Sequence, residues 1–172
     1  MVDKLKVLQI VGYKNSGKTT LITNLITLLR EEGFQVATLK HHGHGGVPLG
    51  FSMTDSEKYR RGGAILSGVE GDGVLQLSSD SWNLEKMISI YEIMEVDILL
   101  IEGFKREDFE KVFVVKQEGD LSLLPTLSKV VAVISPFQIT KNLKAPCFYL
   151  SEMDVFYTWI KQKFGEENTL SE

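Results

Sequence analysis

The stretch Leu5-Lys6-Val7-Leu8-Gln9-Ile10-Val11 runs straight into Gly12-Tyr13-Lys14-Asn15-Ser16-Gly17-Lys18-Thr19-Thr20, so that LKVLQIV abuts GYKNSGKTT. The first half is apolar almost without interruption, as parallel strands covered on both faces tend to be. Beyond the glycines, Leu21, Ile22, Leu25, Ile26, Leu28 and Leu29 make one stripe of a helix from Lys18 to about Glu32, and Gly33 can end it in a left-handed cap. Strand, glycine turn and helix begin a βαβ unit. In that setting Gly12, Gly17, Lys18 and Thr19 match the phosphate-loop pattern of Gly, four residues, Gly-Lys-Ser/Thr. Glycines let the backbone N–H groups turn inward around an anion, and the helix N-terminus adds partial positive charge there. Lys18 is expected to bridge β- and γ-phosphates and the Thr19 hydroxyl to ligate Mg²⁺. Asn15, Ser16 and Thr20 are assigned to the same cradle, with packing or capping as the other reading of Thr20.

A phosphate loop that handles a triphosphate also needs a carboxylate at the end of a neighbouring strand. Glu102 closes the buried run VDILLIEG, Val96 to Gly103. It is the expected Mg²⁺ ligand and, with Lys18, the residue expected to carry any hydrolysis. The Gly103 N–H is expected to approach a γ-phosphate. Asp97 opens the same run, on the order of 16 Å from the phosphate end, and reads as structural. A second strand, Gln35 to Leu39, leads into KHHGHGGVPLG, Lys40 to Gly50, which holds all three histidines of the chain. The loop lies at the sheet edge where α/β proteins bind ligands. It is read as a switch or substrate loop that brings His41 and His44 to the nucleotide. Lys40, Asp55 and Ser56 stand beside it to meet phosphate or Mg²⁺ on closure. Solvated loop histidines, an imidazole metal site, and a plain helix start at Asp55 are the other readings.

Farther along, a short helix is expected over Thr54 to Arg61. Strands Ala64 to Val69 and Val74 to Ser79 follow, joined through Asp72-Gly73 as an antiparallel hairpin. A helix over Asn83 to Glu95, strands Val112 to Lys116, Val130 to Ile134 and Cys147 to Leu150, and a helix over Met153 to Phe164 complete the pattern. The expected fold is α/β, a three-layer P-loop NTPase-like domain with a mainly parallel sheet and an antiparallel β-hairpin insertion. One domain is expected over 1–164, with GEENTLSE, 165–172, as a flexible tail.

Charge narrows the partners. With 19 Lys and Arg against 23 Asp and Glu in 172 residues the net charge is -4, so no overall positive field draws the chain to nucleic acid or anionic lipid. The single cysteine, Cys147, excludes an internal disulfide framework, and with no signal-peptide pattern in MVDKLKVLQIVG a cytoplasmic location is expected. No apolar run approaches the ~20 residues of a membrane span.

Taken together, GYKNSGKTTL (Gly12 to Leu21), LKHHGH (Leu39 to His44), DSEKYRRGGA (Asp55 to Ala64) and IEGFK (Ile101 to Lys105) resemble the molybdopterin-guanine dinucleotide biosynthesis protein B family. The likeness extends to about Lys116. It implies a homodimeric adapter that binds GTP and Mg²⁺, has weak GTPase activity, and helps a separate guanylyltransferase attach a guanine nucleotide to molybdopterin. In that family two adjacent histidines usually end the loop, whereas Gly43 precedes His44 here. Asn-Lys-x-Asp, the guanine-reading element of many GTPases, is absent from the sequence. Loops near Ser135 to Phe137 and Ser151 are expected to touch the base. Two other functions fit parts of the pattern. One is a small-molecule kinase or ligase, since Glu102-Gly103 is similar to the acid-glycine pair of dethiobiotin synthetase, with Lys105, Arg106 and Lys111 as cations around a transferring phosphoryl group or as solvated side chains. The other is a metal-delivery GTPase using His41 to His44.

Overall fold

The computed structural model of the chain describes residues 5–42, 55–140 and 142–165. His44 and the 165–172 tail beyond Gly165 lie outside the described residues. In chain order the elements are β1 (Lys6–Gly12), α1 (Lys18–Glu31), β2 (Val36–Lys40), α2 (Asp55–Arg61), β3 (Ser67–Gly71), β4 (Val74–Ser78) and α3 (Leu84–Ile93). They continue with β5 (Ile98–Glu102), β6 (Glu110–Val114), β7 (Val130–Ser135), β8 (Cys147–Tyr149) and α4 (Met153–Gly165). The span expected to be one domain divides into two compact units, one made of Met1–His41 with Met94–Glu172 and the other of His42–Ile93.

The first unit is a six-stranded sheet in the order β2-β5-β1-β6-β7-β8. All its pairs are parallel, so it is the P-loop NTPase-like α/β architecture that alternating strands and helices demand. Leu8 and Ile10 of β1, Ile98 and Leu100 of β5 and Val112 of β6 point to one face, where they pack with Leu25 and Leu29 of α1 and with Phe156 and Ile160 of α4. Each of these side chains is fully buried, and each contributes about 1.5–3 kcal/mol relative to exposure. On the opposite face Val11, Phe113, Val115 and Val133 pack beneath leucines of a 3-10 stretch, Glu118–Thr126. No periodicity marks that stretch in the sequence. A capping box fixes it: the side chains of Gln117 and Asp120 reciprocally bond the backbone, and buried Asp120 also accepts the Lys116 N–H at 2.9 Å.

Strand bounds follow pairing rather than composition. β6 starts two residues before the expected Val112, because Leu8 to Gly12 pair with Glu110 to Val114. Asp97 lies just before β5 and its carboxylate accepts the Gln35 N–H at 2.6 Å, the structural role expected of it. In the second unit β3 and β4 form the anticipated antiparallel hairpin, Gly71 opposite Val74. α2 has no buried residue, and α3 buries only Leu84.

Candidate functional site

Parallel strands place every loop that leaves their carboxyl ends at one edge, and the sheet order puts the ends of β2, β5 and β1 side by side. The loop after β1 has the geometry its glycines permit. A Cβ on Gly12 would stand 2.5 Å from the Val114 carbonyl oxygen and 2.7 Å from Ser16 Oγ, so the chain passes there only without a side chain. Asn15 takes a left-handed φ of 57°, which an Asx side chain tolerates. Gly17 stands at the N-cap of α1 and offers no side chain to its first amides, and the first turn carries no acid. Those amides therefore face outward with the positive end of the dipole, as an anion site requires.

The side chains converge on the same spot. Lys18 Nζ donates to the Tyr13 carbonyl at 2.6 Å, and its pKa is lowered mainly by burial, with the Glu102 charge opposing and the Lys105 and Lys40 ammoniums adding to the fall. Thr19 Oγ1 donates to Glu102 Oε2 at 3.3 Å across 83 positions of sequence. Lys40 Nζ meets the same oxygen at 3.2 Å, because Lys40 and Glu102 are register partners on β2 and β5. Thr19 and Glu102 thus present two oxygen ligands together, a donor set suited to a hard cation such as Mg²⁺. Thr20 is exposed on the first turn of α1, where it neither packs nor caps.

Around this centre the predicted residues divide. His41 N donates to the Glu102 carbonyl at 2.9 Å, and its ring lies 4.4 Å from that of Phe104, centroid to centroid. The Gly103 N–H donates to the Ile10 carbonyl at 3.1 Å, so the contact expected of it with a γ-phosphate is not the one this geometry makes. What Gly103 supplies is a left-handed turn, φ +96°, with room for His41, whose Cβ a side chain there would meet at 3.0 Å. His42 is exposed. Asp55 stands in the second unit, where it pairs with Lys58 at 2.8 Å as an ordinary helix start. Ser135 Oγ donates to the Phe137 carbonyl at 2.8 Å and accepts the Phe137 N–H, turning the loop after β7 onto itself; Ser151 is exposed. Among the described residues no group of three or more His, Cys, Asp or Glu is arranged to hold a metal.

Of the cations weighed for phosphoryl transfer, Lys105 holds its Nζ 4.8 Å from the Tyr13 ring, which ties the β5–β6 loop to the tip of the phosphate loop. Lys111 corrects the reading of a solvated or phosphate-facing lysine. It is fully buried, its ammonium donates to the carbonyls of Glu107 and Phe109 and to Ser128 Oγ, and burial pushes its pKa down. One polar residue went unremarked: Gln9 sits in the middle of β1, fully buried, and donates through Nε2 to the Gly103 and Phe104 carbonyls at 3.1 and 2.7 Å. Its signal was visible, an amide inside an apolar run.

The family model for molybdopterin guanine dinucleotide synthesis protein B matches residues 7–136. This chain belongs to that family. It is 36% identical over 156 residues, 88% of this chain and 90% of the other, to the probable molybdopterin-guanine dinucleotide biosynthesis adapter protein of Bacillus subtilis (strain 168). A further relative, the adapter protein of that biosynthesis from Haemophilus influenzae, is 28% identical over 148 residues, 83% of each chain. Among solved structures, a MobB protein homolog from Bacillus stearothermophilus superposes with a TM-score of 0.72 at 33% identity, covering 93% of this chain and 98% of that one. The matched span of the MobB family holds the phosphate loop, Lys40, His41 and Glu102, so the convergent residues lie inside it. No described helix is long and apolar enough to cross a membrane.

Proposed function

We propose that this MobB-type adapter of molybdopterin-guanine dinucleotide biosynthesis binds GTP with Mg²⁺ at the β1–α1 loop, hydrolyses it slowly, and works in the cytoplasm. The observation that carries the reading is the meeting of Thr19 with Glu102 at 3.3 Å beside Lys18. The backbone amides from Asn15 to Thr20 would surround the β-phosphate, and Lys18 would leave the Tyr13 carbonyl for phosphate oxygens. Thr19 and Glu102 would hold Mg²⁺, which when bound neutralises charge on the β- and γ-oxygens. Lys40 shares the Glu102 carboxylate and is placed to exchange that partner for the γ-phosphate. His41, exposed and with its ring tilted against that of Phe104 beside the Gly103 turn, is positioned to sense its occupancy.

Burial of Lys111 removes one of the three cations on which the kinase reading depended, and this favours an adapter. Partners would be a guanylyltransferase and molybdopterin. A second copy of the chain is the proposed cover of the β3–β4 hairpin, since Val69, Val74 and Leu75 are 50%, 61% and 62% exposed and a lone two-stranded sheet is marginal in water. A nucleotide panel read by melting temperature tests the reading. GTP with Mg²⁺ at a hundredfold excess over its dissociation constant should stabilise the fold by about 2.7 kcal/mol, a rise of roughly 5 to 10 °C. Equal shifts with ATP would remove the guanine assignment, and no shift with any nucleotide would remove the site.

A further inference from the structure

We infer that Gln9 is the positioning residue that sets the metal-side turn, Glu102-Gly103-Phe104, and through it the Mg²⁺ dependence of nucleotide binding; this rests on the Mg²⁺–nucleotide reading above. The turn is held to β1 from two directions. Ile10 takes the Gly103 N–H on its carbonyl at 3.1 Å, and the Gln9 amide, fully buried, takes the carbonyls of Gly103 and Phe104. Both neighbours of that amide are carbonyl oxygens, so its nitrogen is the atom that must face them.

The hold is needed because the turn is strained. Gly103 and Phe104 are both left-handed, at φ 96° and 52°, and for a bulky residue such as Phe104 that conformation persists only where its surroundings impose it. It has two products. The Phe104 ring reaches His41 at the end of β2. Glu102, immediately before the turn, lies on the α1 face of the sheet with Leu100 and Ile98, where Thr19 meets it.

Stability alone does not account for an amide at this position. Among the described residues the buried Gln9 Oε1 has no hydrogen-bond partner, an arrangement that costs the fold, while Val11, two positions on and on the same face of β1, buries hydrocarbon there. A leucine or methionine at 9 would relieve the orphan oxygen and free the two carbonyls together. The amide is therefore kept for where it puts the turn.

The test separates metal-dependent from metal-independent binding. Methylanthraniloyl-GTP is titrated by fluorescence into the full chain, Gln9→Leu and Gln9→Met, once with EDTA and once with Mg²⁺, and the melting temperature of each nucleotide-free protein is recorded. The expected result is an unchanged affinity in EDTA, since the phosphate loop is untouched, and a gain on adding Mg²⁺ that falls about tenfold, the usual effect of removing an outer partner of a metal ligand. Both variants should stay folded with a modestly lowered melting temperature, since two carbonyls lose their donor while one orphan oxygen is removed. A full Mg²⁺ gain in either folded variant overturns the inference. So does loss of the fold in both, because Gln9 would then serve the core alone. If the unsubstituted chain binds the probe in neither condition, the nucleotide reading itself has failed, and this result is distinct from the others.

Discussion

The two units bury their residues in opposite ways. In the sheet unit β1, β5, β6 and β7 are lined by residues with no exposure, and a helix of 14 residues and one of 13 cover one face. In the His42–Ile93 unit the hairpin exposes Val69, Val74 and Leu75, and α2 is braced along its own length by Glu57 under the guanidiniums of Arg60 and Arg61, with Arg60 also reaching Asp80 beyond the helix. A site that must hold a carboxylate and a hydroxyl together belongs on the rigid member of such a pair, since opening of a packed sheet costs close to the global stability. The loosely buried member is suited to meeting other surfaces, because exposed apolar area is what association covers.

Four perturbations probe that contrast, in falling order of effect. Phe156→Ala, which empties a fully buried ring packed edge-on to Phe148 at 5.2 Å, should cost about 3–5 kcal/mol in urea unfolding; a loss as small as that of a surface change would erase the distinction. Lys18→Ala should remove the whole nucleotide-induced stabilisation of about 2.7 kcal/mol while leaving the free protein's melting temperature nearly unaltered. A retained shift would move the nucleotide away from the β1–α1 loop. Leu75→Asp, on a side chain 62% exposed, should change the stability of one chain by less than about 0.5 kcal/mol yet convert the proposed dimer to single chains in sedimentation. An unchanged sedimentation coefficient would leave the hairpin without its proposed cover.

The smallest effect is electrostatic. Hydrogen bonds from Arg60 and Arg61 hold the Glu57 carboxyl at about 2, below its ordinary 4.5. A depressed carboxylate stabilises above its unfolded pKa and loses that contribution as pH falls through the folded one, so α2 should weaken between about 4.5 and about 2. Protection factors of the α2 amides should fall in that window in the native chain and not in Glu57→Gln. The sheet unit's amides should not follow.

Much of the sheet unit was legible because its signals are local or periodic. Continuous apolar runs marked β1 and β5, and a stripe at helical spacing marked α1. The 3-10 stretch Glu118–Thr126 escaped, since it has neither period and a capping box fixes it; Gln117 with Asp120 three residues later was the available hint. Lys111 was misread for a different reason. A lysine at the front of an apolar run looks like a solvated strand end, and only the carbonyls of Glu107 and Phe109 folding over it, with Ser128 from farther along, make it a core residue. His44 lies outside the described residues.

By itself the sequence determined the cradle. Gly12 to Thr20 is contiguous, and its shape follows from where a Cβ is missing and where a helix starts, both local properties of the backbone. Tertiary structure decided what stands around that cradle. Strand order β2-β5-β1 brings Lys40 and Thr19 onto one oxygen of Glu102, and it sets the Gln9 amide beneath the turn that follows. Pairing between strands far apart in the chain is fixed by burial of whole faces, and no single stretch of residues carries that information.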